Sequence, residues 1–427
     1  MSWPESDLLF VNASQVVTCA GPPRARRGAE MGDAGVLADA AVHVREGRVA
    51  AVGAWSALRA DVRDAMEIDC GRRVLTPGLV DSHTHAVFGR ARFEEQELRA
   101  TGLGYMEIAK RGGGIHSSVK DLRSRSADEL FALARERIER LASYGTTTLE
   151  IKSGYGLTLD DELKSLRVIA RLANEMPLRL VPTFLGAHEI PLEFRMRPGG
   201  RADYVELLIH EMLPRVQSER LARFVDVFCE PGVYTLQETR SILTAARRAG
   251  LGLKLHADEL EPSGGAELAV ELGATSADHL AAVSDAGIKA LGEGSTVATL
   301  LPGTMFFLGK TRQAPARRMV ETGVPVALAT DFNPGTSPTP NFPLILTLGV
   351  SQLGLTVGEA VVAATVNGAA ALGLAESVGQ LARGYSADLA MWDAEDVREL
   401  PYWYGDARCR ATWVAGKACY SSDLGLT

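Results

Sequence analysis

No run of this chain approaches the ~20 consecutive apolar residues that a helix needs to cross a bilayer, so no membrane span is expected. Cysteine is equally sparse. The five present, Cys19, Cys70, Cys229, Cys409 and Cys419, are scattered, odd in number and free of C-x-x-C spacing. They read as reduced thiols rather than a disulfide framework. Positive charge is in deficit: 45 Lys and Arg against 53 Asp and Glu leave a formal charge of −8. The short basic cluster Arg24-Ala-Arg26-Arg27 has no aromatic residues interleaved, so it reads as a solvated loop and no nucleic-acid partner is expected. The first residues, Met1-Ser-Trp-Pro-Glu-Ser-Asp7, lack the basic start and apolar core of a secretory leader. Together these absences predict a cytoplasmic protein.

What is present is material for a large core, with 46% hydrophobic and 23% charged residues. A length of 427 residues exceeds one ordinary domain, but fits an α/β barrel of about 250–300 residues with a smaller companion. Both ends look β-rich. Leu8-Leu-Phe-Val-Asn12 and Gln15-Val-Val-Thr-Cys19 are strand-like, and segments 40–45 and 48–52 flank the hairpin signal Glu46-Gly47. Segments 387–392 and 411–414 repeat that character, with Ala415-Gly416-Lys417 as a turn. The expectation is a small β-sandwich domain built from both termini, residues 1–76 and 381–427, around a barrel over 77–380.

Between the ends, strands alternate with helical patterns. Eight strand candidates fall at 79–85, 146–151, 178–187, 224–229, 251–256, 275–280, 296–301 and 324–331, with amphipathic helices between several, as over 127–143 and 162–174. Such βαβ repetition predicts a (β/α)8 TIM-like barrel, which places its chemistry at the carboxyl ends of the strands.

Those ends carry a constellation. Strand one, after Thr76-Pro77-Gly78, ends in His83-Thr84-His85, and alternate strand residues share a face, so both imidazoles point together. Strand five ends in His256-Ala-Asp-Glu259, strand six in Asp278-His279 and strand eight in Thr330-Asp331. Singly, such a histidine is ordinarily a hydrogen-bonded core residue and such an aspartate a helix N-cap. Converging on one rim, they predict a metal centre. His83, His85, His256 and Asp331 would hold one zinc or iron ion with room for a water, lowering its pKa to about 7. Imidazole and carboxylate accept either metal. Asp331 is placed to take the proton, His279 to hydrogen-bond a carbonyl oxygen under attack, and Glu259 to pass a proton to or from a ring nitrogen. The predicted reaction is hydrolysis of an amide-like C–N bond. Strand four ends in Cys229-Glu230, which leaves a second ion through Glu230 as an alternative; Lys152, past strand two, is not read as a bridging ligand.

These strand ends resemble the amidohydrolase superfamily. Within it the chain resembles the imidazolonepropionase family through His83-Thr-His-Ala-Val-Phe-Gly89, Gly112-Gly-Gly-Ile115, Glu150-Ile-Lys-Ser-Gly-Tyr-Gly156, Asp226-Val-Phe-Cys-Glu230, Lys254-Leu-His-Ala-Asp-Glu-Leu260, Ser276-Ala-Asp-His-Leu280 and Ala329-Thr-Asp-Phe-Asn-Pro-Gly-Thr336. The resemblance implies opening of 4-imidazolone-5-propanoate with water to N-formimidoyl-L-glutamate, the third step of histidine degradation. It implies one divalent metal per subunit and a homodimer. It also implies a cation for the propionate tail, Arg92, whose fork matches a carboxylate bidentately. Further substrate contacts follow from Tyr105, Tyr155, His188 at the ring carbonyl, Glu259, Asn333, Gly335 and Thr336. Gly112-Gly-Gly114 reads as a loop that closes over the mouth. Two departures from the family pattern, Glu189-Ile-Pro-Leu-Glu after His188 and His116 after the triple glycine, bear on loop shape. One rival is a deaminase of a purine or cytosine-like ring, which would have no use for Arg92 and Tyr155. Another is a metal-free barrel protein, which would have lost a strand-end ligand.

Overall fold

Strands buried on both faces are apolar throughout their length, and the central segments of this chain have that character. The computed structural model describes residues 7–62, 64–103, 107 and 113–422. Eight strands, β1 (Leu79–Asp81), β2 (Thr146–Lys152), β3 (Arg179–Ala187), β4 (Phe224–Cys229), β5 (Gly252–Ala257), β6 (Ser276–His279), β7 (Val297–Leu300) and β8 (Val326–Leu328), pair in sequence order as one parallel sheet. A parallel bridge between Thr84 and Phe332 closes the cylinder. There His85 N–H donates to the Phe332 carbonyl at 2.8 Å, and Asp331 N–H to that of His83 at 3.0 Å. The predicted first and last strands, 79–85 and 324–331, are therefore longer than their regular ladders. Their final residues leave the ladder at the rim, and those residues carry the chemistry.

Local signals set the helices. Ala127–Ala142 starts at a reciprocal cap between Ser126 and Glu129 and buries Leu130, Phe131, Ala134, Ile138 and Leu141, the spacing of one apolar face. The next helix, Leu159–Glu175, begins three residues earlier than the predicted 162–174. Its N-cap is Thr158, and Asp160, Asp161 and Glu162 in the first turn suit the helix dipole.

The termini supply two more sheets. One orders Arg48–Ala54, Ala40–Arg45, Leu8–Val11 and Met66–Asp69; the other orders Lys417–Ser421, Cys409–Val414, Leu389–Trp392, Val74–Pro77, Gln15–Val17 and Val36–Ala38. Residues from both ends share a core, with the Phe10 and Trp413 rings edge-to-face at 4.9 Å. Two hairpins turn on paired positive φ angles, Glu46 and Gly47 at 51° and 73°, Ala415 and Gly416 at 48° and 73°. That is the turn whose twist matches its flanking strands. Val74–Pro77 pairs with Leu389–Trp392 immediately upstream of β1, and Trp392 Nε1 donates to Thr76 Oγ1 at 2.9 Å. Among the described residues, no helix is long and apolar enough to cross a membrane.

Candidate active site

At the carboxyl rim, His83 and His85 bring their Nε2 atoms to 3.3 Å. Asp331 Oδ1 lies 3.6 Å from the first and 3.5 Å from the second. All three side chains are buried. His83 Nδ1 sits 2.7 Å from Asp278 Oδ2, which places the ring hydrogen there and leaves the Nε2 lone pair facing its neighbours. Lone pairs held this close repel unless a cation lies between them. Tetrahedral bonds of 2.0–2.1 Å separate ligand atoms by about 3.3 Å, so the donor set fits a metal ion. His83 also groups with His256 and His279 in a second set of mutually close donor atoms, and its ring centroid is 4.6 Å from that of His256. Burial holds His83, His85 and His279 well below the ordinary histidine pKa, so all three stay neutral near pH 7, the form a metal accepts.

Beneath these rings lies a set of fully buried charges: Glu150 and Lys152 on β2, Asp226 on β4, Lys254 on β5 and Asp278 on β6. Lys152 Nζ lies 2.7 Å from Asp226 Oδ2, 2.8 Å from Glu150 Oε2 and 3.5 Å from Asp278 Oδ2. Lys254 Nζ lies 3.0 Å from Glu150 Oε2 and donates to the Ser82 carbonyl at 2.7 Å. Burial opposes the Lys152 ammonium, but Asp226, Glu150 and Asp278 outweigh it and raise its pKa. Asp278 and Asp226 in turn meet His83 and His256 from below, His256 Nδ1 lying 2.9 Å from Asp226 Oδ2. Carboxylates behind ligating imidazoles fix their tautomer and orientation.

The rim segments are held by buried acids that accept backbone N–H groups. Glu230 takes the amides of Glu259, Leu260 and Glu261 at 3.1, 3.2 and 2.8 Å. Both of its oxygens are thus turned onto the chain that presents Glu259. Asp258 takes those of Ser263, Gly264, Gly265 and Ala266 in the same loop. Glu162 takes those of Gly154, Gly156 and Leu157, fixing the loop that carries Tyr155. Asp258, His279, Leu280 and Asp331 all have positive φ, at 49°, 79°, 60° and 52°, a cluster of unfavourable backbone found where surroundings over-determine a site. Burial first, then the charges of Asp331 and Glu230, raise the Glu259 carboxyl well above its ordinary pKa. His279 Nδ1 lies 3.5 Å from Glu259 Oε2. Glu230→Ala is expected to lower kcat about 10²-fold by misplacing Glu259, with the metal content of purified protein unchanged. Loss of one of two ions per chain would instead make Glu230 a ligand.

The remaining described residues of the predicted site line the same rim. His188 stacks on His85 at 5.2 Å between centroids and Tyr155 lies 5.3 Å from His188. His188 Nδ1 sits 3.0 Å from the Gly154 carbonyl, and burial lowers its pKa to about 3. The Arg92 backbone N–H donates to the Pro334 carbonyl at 2.8 Å. A Cβ on Gly335 would overlap the buried Arg92 guanidinium, so glycine is required there by close approach. Asn333 closes the turn after Asp331. Its Oδ1 accepts the amides of Gly335 and Thr336 at 2.9 and 2.7 Å, and its Nδ2 donates to the Asp331 carbonyl at 2.7 Å and Thr336 Oγ1 at 2.9 Å. Its amide is therefore engaged in shaping the turn. Tyr105 and Gly112 lie outside the described residues.

The Amidohydrolase family model matches residues 74–419. An imidazolonepropionase of Solibacter usitatus is 46% identical over 416 residues, 97% of this chain and 99% of that one. Another, from Symbiobacterium thermophilum, is 49% identical over 403 residues, covering 93% and 94%. This chain belongs to the amidohydrolase family, among the imidazolonepropionases. A zinc-bound adenosine deaminase from Xanthomonas campestris shares the amidohydrolase fold, with a TM-score of 0.72 at 18% identity over 98% of this chain and 95% of that one. In this amidohydrolase the sequence reading passed over the roles of Asp226, Asp278, Glu162 and Phe228, whose ring is 5.5 Å from that of His256. A signal was present: Glu150 and Lys152 alternate inside an otherwise apolar and Thr-rich strand, and inward charges there need partners.

Proposed function

We infer that this amidohydrolase opens the ring of 4-imidazolone-5-propanoate with water to give N-formimidoyl-L-glutamate. The observation that carries the reading is a buried arginine, Arg92, on the same rim as a metal-capable set of histidines and aspartate. Hydrolysis and tail recognition are then supplied by one mouth. His83, His85, His256 and Asp331 would hold one divalent ion, zinc or iron. When bound, it supplies a Lewis acid and lowers the pKa of water to about 7.

The chain's own groups do the rest. Asp331 takes the proton of the attacking water; burial raises its carboxyl to about 6, near neutrality where a general base works best. His279 hydrogen-bonds the carbonyl oxygen as negative charge grows on it, while His188, neutral and donating its Nδ1–H to the Gly154 carbonyl, meets the substrate ring with Nε2 as an acceptor. As the new C–O bond forms and the ring C–N bond breaks, Glu259, protonated because its pKa is raised, gives its proton to the leaving nitrogen. The proton on Asp331 then restores Glu259. Arg92 grips the propionate, with Tyr155, Tyr105, Asn333, Gly335 and Thr336 completing the contacts to ring and tail. The same reading takes the protein as a cytoplasmic homodimer, divided at 76/77 and 380/381 into sandwich and barrel.

The test is ultraviolet loss of freshly made imidazolone propionate, run beside Arg92→Ala. The wild type turns the substrate over, and Arg92→Ala raises KM about 10²-fold with kcat within about threefold, since a bidentate tail contact is made equally in ground and transition states. Ammonia release from a purine or cytosine-like ring, without loss of imidazolone, would favour a deaminase.

A further inference from the structure

Strand β7 runs on into Leu301-Pro302-Gly303-Thr304 and carries no titratable residue to the rim. What it supplies is a hydroxyl. Thr304, in the first turn of the helix Pro302–Phe307, is fully buried, and its Oγ1 donates to Asp331 Oδ2 at 2.5 Å. A helical threonine can satisfy that hydroxyl on the carbonyl one turn back; this one reaches a residue 27 positions ahead. Its seat is tight. A Cβ on Gly303 would come within 3.0 Å of Ile345 Cδ1 and 3.1 Å of Ser337 Oγ, and Ser337 Oγ donates to the Thr330 carbonyl at 2.6 Å. The helix thus rests on the turn that presents Asp331.

The two oxygens of that carboxylate therefore differ. Oδ1 faces His83 Nε2 and His85 Nε2 at 3.6 and 3.5 Å, while Oδ2 is turned to Thr304. The Asn333 amide also favours the ionised carboxyl, but within the turn its Nδ2 donates to the Asp331 carbonyl and to Thr336 Oγ1. A carboxylate free to turn can offer both oxygens to a metal ion, whereas one held by a neighbouring hydroxyl offers one.

We propose that Thr304 is the positioning residue of Asp331. Its hydroxyl holds Oδ2 out of the donor set, so that Oδ1 serves as the ligand atom and Oδ2 keeps a lone pair for the proton of the attacking water. This rests on the reading of Asp331 as both ligand and base, and gives each task its own oxygen. Without the hydroxyl, Oδ2 swings towards the histidines, and the base is lost while the ligand set is not.

The test compares metal-loaded wild type, T304V, T304S and D331A. Zinc content, zinc affinity and the visible absorption of the cobalt(II)-loaded proteins are measured beside the kinetics. Valine keeps the branched shape of threonine and lacks the hydroxyl. T304V should lower kcat about 30-fold with KM within about threefold. It should bind zinc at least as tightly as the wild type, and its cobalt form should absorb more weakly as a further oxygen raises the coordination number. T304S keeps the hydroxyl, so its kcat should stay within about threefold of wild type, with the same cobalt spectrum. A T304V kcat within about threefold of wild type, weaker zinc binding, an unchanged cobalt spectrum, or T304S behaving as T304V would each overturn the proposal. If T304V does not fold, T304A takes its place with the same outcomes. D331A separates the two readings: retained turnover with a full complement of metal removes Asp331 as ligand and base, whereas lost turnover beside an inert T304V removes only the positioning role.

Discussion

Asp331→Ala is expected to lower kcat/KM by at least about 10⁴-fold and to yield protein that purifies with little metal. On the proposed mechanism two functions are lost together, a ligand and a base, and each alone is worth about 10²-fold or more. The geometry leaves no substitute. Asp331 is held at φ 52° by the turn that Asn333 closes, its Oδ2 accepts from Thr304 Oγ1 at 2.5 Å, and its Oδ1 faces His83 and His85. Steady-state kinetics and metal content measured on one preparation decide the matter. More than about a tenth of wild-type activity with a full complement of metal would mean that neither role belongs to this residue.

Chelation should remove activity and lower the melting temperature, both reversibly on adding back zinc or ferrous ion. At a free metal concentration about 10³ above Kd, binding stabilises the native state by about 4 kcal/mol. For a chain of 427 residues that corresponds to roughly 4–5 °C. The pH dependence of loading has a defined sign. Because His83, His85 and His279 titrate well below the ordinary value, they need shed no proton above pH 6. Asp331, raised to about 6, gains a proton before any of these three imidazoles. Affinity should therefore be flat from pH 8 to about 6.5 and fall below that, one proton per ion at first. A fall that begins at higher pH with a steeper slope would assign the loss to the imidazoles instead.

Much of this site is legible in the chain because strand ends are local features. His83-Thr84-His85 alternates, and Asp278-His279 and Thr330-Asp331 each close an apolar run. The barrel follows from the same runs, and even the early start of Leu159–Glu175 has a local cause in Thr158. What stayed hidden depends on residues far apart in the chain. Lys152 meets Asp226 across 74 positions, and Gly114 meets Glu95 across 19. The place of Glu230 at the end of a strand leaves a second ion there as an alternative. Only the folded backbone shows three amides of 259–261 converging on it. Asn333 likewise reads as a polar contact residue until its amide is seen to close its own turn.

The bridge that shuts the cylinder has a kinetic consequence. Asp81 receives the Thr330 amide and hydroxyl at 3.0 and 2.6 Å across 249 positions, and His83, His85 and Asp331 come from either side of that seam. During synthesis, a nascent chain lacking its last third would present His83 and His85 without Asp331. Ion capture would thus fall late, after more than three quarters of the 427 residues have been made, and it would trap the seam shut once complete.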